Sequence, residues 1–231
     1  MLVSILKTHW MSYSIKIASS KEDKEAIFRF RYKVYMEELN KRHIAADHDH
    51  KMLFDEADKY TILYYAANGN DVIGTVRSQR GTEGMFLAND KIFFGIDVFD
   101  AHIDCCEMAI VDRLIVDQEY RHGSLAHELM LATYLGGLEV GTRICFITCD
   151  EKLLQMYQRY GFRVYATPVF LSSGEKRYRM VLMLCDRNHL QKVRSPFLRH
   201  LPESLDDGGE CASIIERELG FKLVDEFTEA A

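Results

Sequence analysis

Residues 105–162 read CCEMAIVDRLIVDQEYRHGSLAHELMLATYLGGLEVGTRICFITCDEKLLQMYQRYGF, and this stretch decides how the rest of the chain is read. An apolar strand over 113–116 runs into a tight polar loop. A helix opens near Ser124, a second apolar strand covers 144–148, and a short helix ends at Gly161. A strand that delivers a loop to a helix N-terminus leaves backbone N–H groups without intrahelical partners. Such a place can bind an anion such as a phosphate.

With 231 residues, the chain can bury one large core, and 48% hydrophobic with 28% charged residues is the composition of a globular protein. A formal net charge of −6 argues against generic nucleic-acid binding, which draws on basic surfaces. No apolar run approaches the length of a membrane span, and the opening MLVSILKTHWM has neither a long apolar core nor a small-residue cleavage site. The cytoplasm is the expected location. Cys105, Cys106, Cys145, Cys149, Cys185 and Cys211 lack the paired spacing of a zinc site or a disulfide framework, so reduced thiols are expected.

Upstream, residues 13–18 alternate as a first strand. Ser19 or Ser20 then caps a long helix, with Asp23 three residues after Ser20 in a capping-box pattern. Ile27, Phe30 and Val34 make one apolar stripe on that helix, and Phe28, Tyr32, Tyr35 and Leu39 make another, so the helix is expected to be largely buried. Arg31 and Tyr35 lie one turn apart: either they face a ligand together or Arg31 pairs with a nearby carboxylate. Residues 40–58 are polar and turn-rich. His48, Asp49, His50 and Asp55 fall there without the spacing of a recurrent metal site, and no metal is expected. Asn68-Gly69 between two β-rich runs marks a hairpin, and Arg77 ends its second strand on the same face as Thr75. Residues 87–104 lean to a helical turn around 91–94. Downstream of Gly161, FRVYATPVFL and KRYRMVLML read as two strands joined at Ser172-Ser173-Gly174. Residues 186–231 read as helix in two pieces divided near Pro196 and Pro202. The expected organisation is an arm over 1–11 leading into one domain to residue 185, with 186–231 as a helical extension packed on it.

The order strand, helix, hairpin, strand, helix, strand, helix, hairpin resembles the GCN5-related N-acetyltransferase (GNAT) superfamily. Arg121-His122-Gly123-Ser124-Leu125-Ala126 is similar to that family's phosphate loop, with Ser124 where a middle glycine is usual. Met156-Tyr157-Gln158-Arg159-Tyr160-Gly161-Phe162 resembles its Tyr-x-x-x-Gly-Phe segment. The resemblance implies an α+β fold with a twisted mixed sheet flanked by helices. It further implies that the parallel strands 113–116 and 144–148 splay to admit a pantetheine arm, paired as a surrogate strand. Main-chain N–H groups around Leu114, Ile115 and Val116 would then polarise the thioester carbonyl, and Tyr157 would protonate the departing thiolate; a core aromatic is the other reading of Tyr157. Glu107, among Cys105, Cys106, Met108, Ala109 and Ile110, is the candidate base if desolvation raises its pKa, or else an exposed residue at the strand's start.

The N-terminal half also resembles the acyl-homoserine-lactone synthases and, more closely, the long-chain N-acyl amino acid synthases. The carrying residues are Arg31-x-x-x-Tyr35, Asp55-x-x-Asp58, the strand ending in Arg77, and Arg113. The glutamate of that family's Glu-x-x-Arg element is absent, since Ile110 stands three before Arg113. This resemblance spans about residues 27–165. It implies an acyl-phosphopantetheine donor carried on acyl carrier protein, no tightly bound cofactor, and a basic docking surface, for which Arg187, Lys192, Arg194 and Arg199 within 187–200 are candidates. A solvated helix face explains those four residues equally. The expected function is transfer of a long fatty acyl group to the amine of an amino acid or similar small molecule, with Arg31, Arg77 or Arg113 gripping the acceptor carboxylate. Alternatives are an acetyl-coenzyme A N-acetyltransferase of a small amine or protein lysine, and a non-catalytic acyl- or carrier-binding module.

Overall fold

The computed structural model describes residues 13–41, 43, 45–81, 86–171 and 174–224. The arm expected over 1–11, Ser172 and Ser173 of the expected turn, and the last residues from 225 lie outside these described residues. In chain order the elements are β1 (Ser14–Ile17), α1 (Lys21–Tyr32), β2 (Ala46–Asp47), β3 (Met52–Leu53), β4 (Ile62–Asn68), β5 (Asp71–Arg80), α2 (Ala88–Phe94), α3 (Ile96–Phe99) and β6 (Met108–Val116). There follow α4 (Leu125–Glu139), β7 (Ile144–Cys149), α5 (Glu151–Tyr160), β8 (Arg163–Val164), β9 (Val169–Phe170), β10 (Lys176–Met183), α6 (Arg187–Lys192) and α7 (Glu210–Ser213).

Eight strands form one mixed sheet in the order β1-β4-β5-β6-β7-β10-β8, with β9 on β10, while β2 and β3 pair separately. The pairs β1/β4, β4/β5 and β7/β10 are antiparallel. β6 and β7 are parallel, and their ladder joins Met108–Ile110 to Ile144–Phe146. β6 thus starts five residues ahead of the strand expected at 113, and residues 111–116 lie beyond that ladder. Among the described residues the chain divides into two compact units. One runs to Gln79 and adds Val111–Gly136; the other is Arg80–Ile110 with Gly137 onward.

In the first unit the capping box at Ser20 forms as its pattern requires. The Ser20 hydroxyl accepts from the Asp23 N–H and the Asp23 carboxylate accepts from the Ser20 N–H. Strand β4 is apolar from Ile62 to Ala67 because both its faces are covered. Leu63, Tyr65 and Ala67 pack with Ile27 of α1, and the alternate residues Tyr64 and Ala66 pack with Leu125, Leu129 and Ala132 of α4. Full burial of Ile27 contributes about 2 kcal/mol. α1 does not continue as regular helix: residues 33–38 widen into a π-helical turn, closed by the Leu39 N–H on the Val34 carbonyl at 3.0 Å. Such turns re-aim side chains, and this one carries Tyr35.

The hairpin forms one residue later than Asn68-Gly69 suggests. A register shift between Ala66 and Ala67 leaves Asn68 paired with Asp71, so Gly69 and Asn70 make the loop. Gly69 at φ +61 takes the first central position, which fits a type II′ turn.

The second unit has an aromatic core: Phe94, Phe99, Phe146 and Tyr165 meet edge to face or tilted, with Met108, Ile110, Val181, Met183, Cys211 and Ile215 around them. α2 and α3 supply Phe94 and Phe99 and confirm the helical leaning at 91–94. The single strand expected over FRVYATPVFL is two short pieces, β8 and β9, separated by a stretch holding Pro168, which has no N–H for a ladder. The C-terminal stretch is less helical than expected. α6, 3-10 turns at Leu198–His200 and Glu203–Leu205, and α7 running into a π turn at Ile214–Glu218 replace two helices. None of the six cysteines, all of them described residues, is joined in a disulfide. No helix among the described residues is long and apolar enough to cross a membrane.

Candidate active site

The first unit gathers six charged side chains from four elements. Arg31, at the end of α1, is fully buried and donates to Asp58 Oδ1 at 2.7 Å. Asp58 and Asp55 cap a 3-10 turn at Glu56–Lys59, the Asp55 N–H donating to Asp58 Oδ2 at 2.9 Å. Arg77, near the end of β5, reaches both Asp55 and Asp58 and holds Asp112 of β6 with two parallel bonds, Nε to Oδ1 at 2.7 Å and Nη2 to Oδ2 at 2.6 Å. Arg113 Nη2 is ion-paired with Asp55 Oδ2. The structure therefore brings together Arg31, Asp55, Asp58, Arg77 and Arg113, and adds Asp112, which the sequence reading missed.

Asp112 is missed because neighbouring strand residues should face opposite sides of a sheet. Arg113 has φ +53, a left-handed conformation inside a strand, and it breaks the alternation so that both side chains serve one cluster.

Three guanidinium groups and three carboxylates sum to no net charge, yet each group feels its neighbours. Burial works to raise the Asp55 pKa, but Arg77 and Arg113 outweigh it and hold the carboxyl at about 2. Burial pulls Arg31 below its ordinary value against the attraction of Asp58. Tyr35 is raised, by burial above all, and its electrostatic neighbours are Arg113, Asp112, Arg31 and Arg77, so the π turn presents it to the same cluster. His43, absent from the sequence reading, is pulled down first by burial and then by Arg113; its Nδ1 accepts from the Ala45 N–H at 3.2 Å. Some donors inside the cluster have no partner among the described residues: Arg31 Nε and Nη2, and Arg113 Nε. Unpaired buried donors are costly unless something completes them.

On the same β6, Leu114, Ile115 and Val116 follow the break at Arg113. The next loop turns through Asp117, whose side chain accepts from the Glu119 N–H, to His122 at φ +70 and on to Ser124 at the head of α4. Arg121 folds inward, with Nε donating to the Val116 carbonyl at 3.0 Å and Nη1 on Glu38. The Ser124 hydroxyl lies 3.5 Å from that of Tyr13, which donates to Glu128 at 3.1 Å. Gly123, Leu125 and Ala126 complete the loop and the first turn of α4.

The remaining candidates belong to the second unit. Glu107 lies in the 3-10 turn Cys105–Glu107 before β6, where a third of its side chain is exposed and Arg143 stands 3.6 Å away. The strand surroundings expected of it begin only at Met108, because the Asp104 side chain caps this turn. Tyr157 is buried on α5 with its ring edge-on to Phe162, centroids 5.5 Å apart. In the 187–200 stretch, Arg187 is committed to the carbonyls of Leu201 and Pro202 at 3.0 and 2.9 Å. Arg194 and Arg199 are exposed beside a hollow of about 550 Å³ that Gln191, Ser195, Pro196 and Leu198 also line. His48 and His50 are held by Tyr32 and Asp47 at 2.9 Å each.

The family model described as N-acyl amino acid synthase FeeM matches residues 26–186, the span that holds the cluster, β6 and the loop. No curated protein matches the chain. Among solved structures, FeeM, an N-acyl amino acid synthase from uncultured soil microbes, superposes with a TM-score of 0.61 at 12% identity, covering 82% of this chain and 98% of that one. BjaI, a CoA-dependent acyl-homoserine lactone synthase solved with SAM and isopentyl-CoA, gives 0.59 at 21% identity over 79% of this chain and 90% of its own. The acyl-homoserine-lactone synthase LasI gives 0.58 at 16% identity over 74% and 90%. The mixed sheet flanked by helices is the GNAT-like acyl-CoA N-acyltransferase fold. The chain belongs to the FeeM family of N-acyl amino acid synthases and is an acyltransferase.

Proposed function

We propose that the protein moves a long fatty acyl group from phosphopantetheine on acyl carrier protein to the amine of an amino acid or a similar small molecule. The observation that carries the donor half of this reading is the loop after β6. Arg121 is tied to Glu38 and to the Val116 carbonyl, and Ser124 keeps a side chain where close backbone approach to a diphosphate needs none. A carrier-bound arm brings a single phosphate, which the head of α4 can meet. The acceptor half rests on the cluster of Arg77, Arg113, Asp55, Asp58 and Asp112 beside Tyr35, with Arg31 acting through Asp58 as a positioning residue.

In this reading the acceptor nitrogen attacks the thioester carbonyl carbon, the C–N bond forms and the C–S bond breaks. The amine gives up a proton and the departing thiolate takes one. N–H groups of Leu114, Ile115 and Val116 steady the developing oxyanion. Glu107 is the proposed base and Tyr157 the proposed proton donor, roles that Glu107→Gln and Tyr157→Phe would separate by opposite limbs of the pH–rate profile. A coenzyme A thioester is the second reading of the donor, favoured by the CoA dependence of BjaI.

Purified protein incubated with pooled amino acids and either acyl carrier protein thioesters or acyl-CoAs of graded chain length tests the proposal by product mass. N-acyl amino acids from the carrier-bound donor are expected. Product from acyl-CoA alone removes the carrier, and no product from any donor removes the reaction.

A further inference from the structure

Asp112 and Arg113 are consecutive, oppositely charged and turned to the same side of β6. Both side chains meet the Arg77–Asp55 pair: Asp112 on Arg77 Nε and Nη2, Arg113 on Asp55 Oδ2. The cluster's carboxylates differ in access: 40% of the Asp112 side chain is exposed, against 25% for Asp55 and 2% for Asp58. Two lone-pair directions of Asp112 remain after Arg77 takes its two bonds. Arg113 has nine-tenths of its side chain buried, with Nε lacking a partner among the described residues. One open acceptor thus stands beside one incomplete donor.

Charge selects the ligand further. Arg31, Arg77 and Arg113 balance Asp55, Asp58 and Asp112, so a ligand of either single sign would leave an uncompensated charge near the buried Arg31–Asp58 pair. A zwitterion keeps the sum at zero.

We propose that Asp112 receives the acceptor's α-ammonium while Arg113 Nε receives its α-carboxylate, so that the left-handed residue in β6 is the device that reads an α-amino acid as a zwitterion. This rests on the acyl-transfer reading above and adds a residue, Asp112, that stands outside the motif whose glutamate position is Ile110. Asp112 also orients the amine before it loses its proton, because two bonds from Arg77 fix the carboxylate plane.

The test compares kcat/KM for three pools with the same acyl donor: the common amino acids, their methyl esters, and the corresponding amines without a carboxyl group. Asp112→Asn is expected to lower kcat/KM about 30-fold for acids, esters and amines alike, since all three present an ammonium. Arg113→Gln is expected to lower it about 100-fold for acids and less than about threefold for esters and amines. Asp112→Glu should recover part of the loss. For Arg113→Gln the acid-to-ester ratio is taken within one protein preparation, so a general loss of folding cancels; for Asp112→Asn, whose acid and ester penalties are equal, the loss must fall on the acceptor KM with the donor KM unchanged, which a general loss of folding would not give. Equal penalties from the two variants across all three pools would make both residues structural and overturn the assignment alone. A wild type that acylates none of the pools overturns the acyl-transfer reading and the assignment with it.

Discussion

Arg31 brings a guanidinium into a place with no solvent exposure, and Asp58 is what makes that tolerable. Breaking a buried pair leaves the surviving charge uncompensated, so Asp58→Ala should cost about 3–5 kcal/mol, whereas Arg31→Met with Asp58→Leu should recover most of that loss. Urea denaturation of Asp58→Ala and of the double variant measures the difference. A double variant no more stable than Asp58→Ala would show that the pair is not the main term. Asp55 supplies a pH signature. Its folded carboxyl titrates at about 2, below the ordinary carboxylate value, because Arg77 and Arg113 outweigh its burial. A depressed carboxyl stabilises fully above the unfolded pKa and loses that contribution as pH falls through the folded one. Wild type should therefore lose about 2 kcal/mol more than Asp55→Asn between about pH 5 and pH 1, seen as converging urea midpoints on acidification; parallel curves would deny the linkage. Asp55, Asp58 and Arg77 were legible through the family resemblance, whose elements are a three-residue spacing and a strand end and so can be matched locally. Asp112 was not, because one φ angle at Arg113 decides its side and no residue type announces that angle.

Elements whose two faces see the same environment along their whole length were read correctly, and those interrupted by backbone chemistry were not. β4 alternates between two packed layers and shows as an unbroken apolar run, and the Ser20 box is written in side chains. The π turn after α1 has no such signature: Val34 and Tyr35 fit a regular helix as well as the wider one. The long strand read after Gly161 fails at Pro168, and the C-terminal helices shrink to turns between Pro196, Pro202 and the Gly208-Gly209 pair. β5 ends against the start of β6 through a glycine whose spacing is testable. The Gly81 N–H donates to the Met108 carbonyl at 3.1 Å, and a Cβ at Gly81 would sit 1.9 Å from the Cys105 carbonyl oxygen. Backbone cannot rotate away as a side-chain tip does. Gly81→Ala should therefore destabilise by about 1–3 kcal/mol, read as a lower urea midpoint with unchanged slope. A midpoint equal to wild type would mean that the turn Cys105–Glu107 yields without cost.

At the scale of the whole molecule the decisive quantity is where charge is placed rather than its sum. If the donor arrives on an acidic carrier protein, as proposed above, the net charge of −6 should repel it, so productive encounter would require a local basic surface. Of the four candidates in 187–200, Arg187 is spent on the Leu201 and Pro202 carbonyls and stands 3.8 Å from Asp206, so its reversal would damage the fold before it informed on docking. Arg194 and Arg199, exposed on one hollow, are the pair to reverse. Arg194→Glu with Arg199→Glu should reduce kcat/KM for a carrier-bound acyl donor about tenfold at low ionic strength. Because steering between exposed charges is screened beyond about 8 Å at physiological salt and about 3 Å at 1 M, the penalty should shrink as salt is added. Stopped-flow or steady-state rates across a salt series give both slopes. A penalty that stays constant from low to high salt would place the loss in packing instead of encounter, and the docking surface would then have to be sought away from residues 194–199.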